Sequence, residues 1–169
     1  MKKNSGFTLL ELIITVALVS IVMAIAIPSM TTFNQNDRLV TNINTLIGHL
    51  AYARSEAVKR SQQVSICVSN DAATCTGGNN WEDGWIVYID ADGSNTFDAS
   101  EEVLRAQQAL TGNQTLTPTT FATQVIYDYR GFATSTGSFQ LCDNRTGPYG
   151  KTITISNTGR VRFQDGSAC

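Results

Sequence analysis

The sequence predicts an α+β protein: one long N-terminal helix, its first half membrane-spanning, packed on a mostly antiparallel two-sheet β head. Three observations carry this. Phe7 to Ile27 is a run of 21 residues with a single charge, Glu11. Beyond Pro28, apolar residues keep recurring at helical spacing to about Arg60. After Gln63 the period changes to two, and short β-branched or aromatic runs alternate with Gly, Asn and Asp clusters.

At about 1.5 Å per residue the first apolar run is about 31 Å long as a helix, enough to cross a bilayer core. Pro28 should kink this helix rather than end it, because the pattern resumes behind it. Val40, Ile43, Ile47 and Leu50 form the stripe, flanked by Leu39, Leu46, Ala53 and Ala57. Asn42, Asn44 and Thr45 fall largely outside it. Lys59 and Arg60 complement the helix dipole at its C-terminal end. His49 has no nearby acidic or cysteine partner in sequence and reads as an ordinary helix residue.

Strands follow. Val64, Ile66 and Val68 alternate with Ser65 and Cys67, which predicts the first. Trp85 to Ile89 and Val125 to Tyr129 predict two more. Phe139 to Cys142, Thr152 to Ser156 and Arg160 to Phe163 complete the set, with a further candidate at Glu102 to Arg105. Gly77-Gly78-Asn79-Asn80, Asp92-Gly93-Ser94-Asn95, Thr136-Gly137 and Asn157-Thr158-Gly159 supply the turns.

The 169 residues carry a formal net charge of −2, which by itself disfavours nucleic-acid binding. The distribution is uneven, however. Asp71 to Glu102 holds eight acidic residues and no basic one. Arg130 to Cys169 holds Arg130, Arg145, Lys151, Arg160 and Arg162 against Asp143 and Asp165. Lys2 and Lys3 favour a cytoplasmic N-terminus, which places the rest of the chain on the oxidising side. Four cysteines allow three pairings. The expected pairs are Cys67–Cys75, closing a short loop after a strand, and Cys142–Cys169, tying down the last residue. No spacing is that of a metal site, and no cofactor is expected. Asp90, Asp92 and Glu101 fit three positions of a calcium loop, but Gly93 is misplaced for it, so a solvated hairpin tip is expected. With no nucleophile–His pair and no ligand cluster, the chain does not read as an enzyme.

The N-terminal residues Gly6, Phe7, Thr8, Leu9 and Glu11, with Pro28, resemble the class III signal of type IV pilins and type II secretion pseudopilins. The resemblance implies cleavage by a prepilin peptidase between Gly6 and Phe7, with N-methylation of Phe7. It also gives Glu11 a role. A carboxylate this deep in an apolar segment is costly unless paired, and the implied partner is the N-terminal amine of a neighbouring subunit during assembly. The implied organisation is a leader over 1–6, a transmembrane and assembly helix over 7–28, an amphipathic helix half over 29–62, and a head over 63–169. The implied location is the bacterial inner membrane with a periplasmic head, and then the pilus. The implied partners are other major and minor pilins.

Gly84-Trp85-Ile86-Val87-Tyr88-Ile89-Asp90-Ala91-Asp92-Gly93, followed by Glu102-Val103-Leu104-Arg105, is similar to the FimT/FimU/GspH group of minor pilins and pseudopilins. The sharpest functional signal is Gly159-Arg160-Val161-Arg162-Phe163. Alternation in a strand puts Arg160 and Arg162 on one face and Val161 and Phe163 in the core. The bare residues also fit charged protection of an edge strand. A Gly-Arg-x-Arg motif at this position resembles that of FimT-type minor pilins, which implies Gly159 as the turn and Arg160 and Arg162 as contacts to extracellular DNA in natural transformation. Lys151 and Arg145 join this patch on charge alone. Guanidinium groups pair with phosphates by two parallel hydrogen bonds, so little DNA sequence preference is expected. Two alternatives share the N-terminus: a minor pilin that primes pilus assembly without binding DNA, and a GspH-like minor pseudopilin of type II secretion.

Overall fold

The computed structural model describes residues 7–120 and 123–169. The predicted leader, with Gly6, lies outside them. A single helix, α1 (Leu9–Arg60), runs through Pro28 without interruption. It starts at Thr8, whose Oγ1 accepts the Glu11 backbone N–H at 3.3 Å, as an N-cap side chain does.

The chain divides into two compact units, Met1–Asn36 and Asp37–Cys169. In the first, every described residue is helical from Leu9 onward, and its apolar side chains from Phe7 to Phe33 are exposed. An 18-residue window of α1 reaches a mean hydropathy of 2.7, apolar enough to cross a membrane.

Among the described residues, the second unit holds eight strands in two four-stranded antiparallel sheets. The first sheet contains β1 (Gln63–Val68), β2 (Gly84–Asp90), β3 (Val103–Gln108) and β5 (Gln124–Tyr127), in the order β3-β2-β1-β5. The second contains β4 (Thr115–Pro118), β6 (Gly137–Cys142), β7 (Gly150–Ile155) and β8 (Val161–Ser167), in the order β4-β6-β7-β8. Leu39, Ile43, Leu46, Leu50, Ala53 and Ala57 of α1 form one core with the inner residues of both sheets. Ile47 is only partly buried, and Val40, expected in the stripe, is exposed. The buried face is thus rotated toward Leu39 and Leu46.

Three features differ from the sequence expectation. First, β1 and β2 are buried on both faces, not on alternate residues. Cys67, Ile86 and Tyr88 form a second, smaller core on the outer side, covered by Cys75, Phe97 and Val103. Second, β4 was not anticipated. Only Leu116 of its four residues is buried, and it is an edge strand paired with β6 alone, so it carries little apolar pattern. Third, Lys59 and Arg60 do more than face the helix end. Both pair with Glu56, buried one turn earlier, at 3.3 and 2.7 Å, and Arg60 continues to Glu102 at 2.7 Å.

The structure joins Cys67 to Cys75 and Cys142 to Cys169. The second bridge spans 27 positions and fixes the chain end beside Gly147, whose carbonyl accepts the Cys169 N–H at 3.0 Å. Replacing both Cys142 and Cys169 by Ser is expected to destabilise the head by about 2–4 kcal/mol, measured by denaturant unfolding. Hydrogen exchange should rise first in β8, which leads into the released end.

Candidate nucleic-acid interface

The Gly-Arg-x-Arg segment forms the hairpin between β7 and β8. Ile155 pairs with Val161 and Thr154 with Arg162, which leaves Ser156 to Arg160 as the loop. The Gly159 N–H donates to the Ser156 carbonyl at 2.8 Å, and the Ser156 N–H to the Arg160 carbonyl at 3.0 Å. Gly159 has φ of +73°, and a Cβ there would collide with the Gly131 carbonyl oxygen. Both the left-handed backbone and the close approach of a second loop therefore require glycine.

Arg160 and Arg162 are exposed, and among the described residues neither forms an ion pair. Arg162 lies in the ladder opposite Thr154, whereas Arg160 precedes the strand. Arg160 borders an apolar groove of about 660 Å³ between α1 and the start of β8, lined by Ile47, Ala51, Val58 and Val161 among others. The expectation that both face one side as strand neighbours is therefore corrected: Arg160 belongs to the turn. Phe163 is corrected too. It is 50% exposed, on the outermost strand of its sheet among the described residues.

The two candidates added on charge alone are placed otherwise. Lys151 pairs with Asp165 at 2.5 Å, its side chain only 11% exposed. That hydrogen bond holds the Asp165 carboxyl below its ordinary value. Arg145 pairs with Asp143 at 2.7 Å, its side chain 16% exposed. Both charges are locally neutralised, and neither group is available to a phosphate as it stands.

Arg54 was not singled out from the sequence. It stands more than a hundred residues before the motif on α1, yet its Nε donates to the Gly131 carbonyl at 2.9 Å and it lines the same groove as Arg160. Only the packing of the Gly131 loop against the Gly159 turn brings it there. That loop is itself rigid. Asp128 accepts the N–H groups of Arg130 and Phe132 at 2.9 Å each and pairs with the Arg130 guanidinium at 3.0 Å. Burial pushes the Asp128 carboxyl up, but these hydrogen bonds outweigh it and hold the pKa below the ordinary value.

At the same end of the first sheet, bordering Asp128 and Tyr129, Asp90, Asp92 and Glu101 converge within 4.8 Å of one another. Backbone N–H groups of Ser94, Asn95 and Ala91 occupy their oxygens, along with the Gln63 amide. This is a self-bonded hairpin tip.

The sequence profile of the family described as "Type II transport protein GspH" matches residues 42–159, more than half of the chain. The chain belongs to the GspH family. The prokaryotic N-terminal methylation motif matches residues 1–27. In fold, this GspH-family protein resembles the type IV minor pilin FimU of Pseudomonas aeruginosa in two crystal forms. One has a TM-score of 0.63 at 23% identity, covering 81% of this chain and 96% of that chain. The other has a TM-score of 0.60 at 22% identity, covering 78% and 97%. No curated protein sequence matches. The long helix on two antiparallel sheets is thus the pilin fold. The match to the GspH profile ends at Gly159, one residue before Arg160.

Proposed function

We propose that this GspH-family protein is a minor type IV pilin that captures extracellular DNA through Arg160 and Arg162 for uptake in natural transformation. The observation that carries the reading is the contrast among the basic residues of the C-terminal part. Arg130, Arg145 and Lys151 are each paired with a carboxylate, while Arg160, on the turn held by Gly159, and Arg162, on β8, stand exposed and among the described residues unpaired. Arg54 adds a third guanidinium beside the same turn. Capture is electrostatic: arginines replace counterions on the phosphates, with little sequence preference, and several heads along a filament add their effects. Titration of the full chain in nanodiscs with labelled DNA tests the reading; absence of binding at low salt rejects it.

The GspH match supports a second reading, a minor pseudopilin of type II secretion that binds other pseudopilins and no DNA. Both readings place the chain in the inner membrane before assembly and require processing at the N-terminus. The mature chain is expected to begin at Phe7, N-methylated, by mass spectrometry of assembled material. A chain starting at Met1, or cut after Ile27, is the outcome that defeats both. Glu11 acts at assembly in this scheme, by pairing with a neighbour's N-terminal amine.

A further inference from the structure

In the described part of the head, the exposed aromatic rings are Tyr129, Phe132, Tyr149 and Phe163. All lie in the part of the sequence that also carries Arg160 and Arg162. Two of them flank the Gly131 loop, which touches the Gly159 turn. Tyr129 is 57% exposed and Phe132 45%. The Ala133 N–H donates to the Asn157 carbonyl at 3.1 Å, which stitches this loop to the turn that presents Arg160. The Arg130 guanidinium lies 5.4 Å from the Tyr129 ring centroid and 5.5 Å from that of Phe132, over both rings. Bonded to Asp128 as well, it holds the two rings in place without sealing them from solvent.

Neither ring packs into the core. Rings beside unpaired arginines are what single-stranded nucleic acid uses: bases stack on the rings while guanidinium groups take the phosphates. A duplex keeps its bases stacked inside and offers only phosphates to such a surface.

We infer that this surface takes single-stranded DNA, with unpaired bases stacked on Phe132 and Tyr129 and the adjoining phosphates held by Arg160 and Arg162. The inference rests on the DNA-capture reading and narrows it to a strand type. The rings confer the preference; the arginines confer the attraction common to every form of DNA. The preorganised Asp128–Phe132 loop keeps the ordering cost of the rings low.

The test compares three probes by fluorescence anisotropy, using the full chain in nanodiscs: a mixed-sequence single strand, the matching duplex, and an abasic strand of equal length. The single strand is expected to bind about tenfold or more tighter than the abasic strand. A Tyr129→Leu/Phe132→Leu variant, which keeps apolar bulk at both positions, is expected to lose that margin. Its duplex affinity should stay unchanged, which also reports an intact fold. Equal affinity for the single and abasic strands overturns the inference while leaving DNA capture in place. So does an unaltered single-strand preference in the variant. Binding to none of the probes overturns DNA capture and the inference together.

Discussion

Changing Arg160 and Arg162 together to Gln is expected to lower DNA affinity by about a hundredfold or more. Hydrogen bonds to charged groups contribute about 1.5–3 kcal/mol each, and the variant removes two guanidinium groups that have no carboxylate to fall back on. The loss should be similar for every DNA sequence, because phosphates carry no sequence information. If each arginine neutralises one phosphate, the slope of log affinity against log salt should shrink by about 2 on duplex DNA. The fold should persist, since both side chains are exposed and the turn is held by Gly159 and Ser156 backbone bonds. Lys151→Gln should change affinity far less, because Asp165 already neutralises that charge. In cells, transformation should fall while pili still assemble. Unchanged affinity in a folded double variant would return the two arginines to protecting an edge strand and favour the pseudopilin reading.

Trp85→Ala is expected to be the most damaging single change in the head. Trp85 is fully buried on β2, its Nε1–H donates to His49 Nδ1 at 3.0 Å, and its ring meets the imidazole edge-on. Removing so large a buried side chain costs about 3–5 kcal/mol, a substantial share of the stability of a domain this size. Denaturant unfolding of the head measures it; a loss below about 1 kcal/mol would contradict the packing described. His49 also makes stability depend on pH. Burial, and then the nearby Arg105 charge, lower the His49 pKa from its ordinary 6.5. The unfolded chain then binds the proton more readily, so this contribution is complete above that value and fades as the pH falls toward the lowered one. A His49→Gln control should lack this dependence.

His49 shows where sequence reading stops. Its partner is 36 positions away, on a strand whose pairing partners are β1 and β3, and no local pattern connects a helix histidine to a strand tryptophan. The same holds for Arg54 and the Gly131 loop. Each acquires its role from a contact between elements distant in the chain. The errors at Val40 and Phe163 are of a different kind. Periodicity finds that an element is amphipathic and roughly which side is apolar, but the border of burial depends on where neighbouring strands end. Val40 lies outside the buried helix face and Phe163 on the last strand of a sheet.

What the sequence by itself determined was everything that rests on local or very strong signals. A 21-residue apolar run with one carboxylate specifies a membrane-length helix wherever it occurs, because hydrocarbon offers the backbone no other partners. The strand positions of β1, β2, β6 and β7 follow from residue type and period, and the hairpin at Asn157-Thr158-Gly159 follows from turn chemistry. The tertiary structure alone decided which charges remain free. Arg145, Lys151, Arg160 and Arg162 are indistinguishable as cations in a sequence. The register of β7 against β8 brings Asp165 to Lys151, and the conformation of the loop after β6 turns Asp143 back onto Arg145 two positions on, while among the described residues no carboxylate pairs with Arg160 or Arg162. Because a paired cation has already exchanged its water for a carboxylate, it has little attraction left for a phosphate, and that pairing depends on distances in space rather than on separation along the chain.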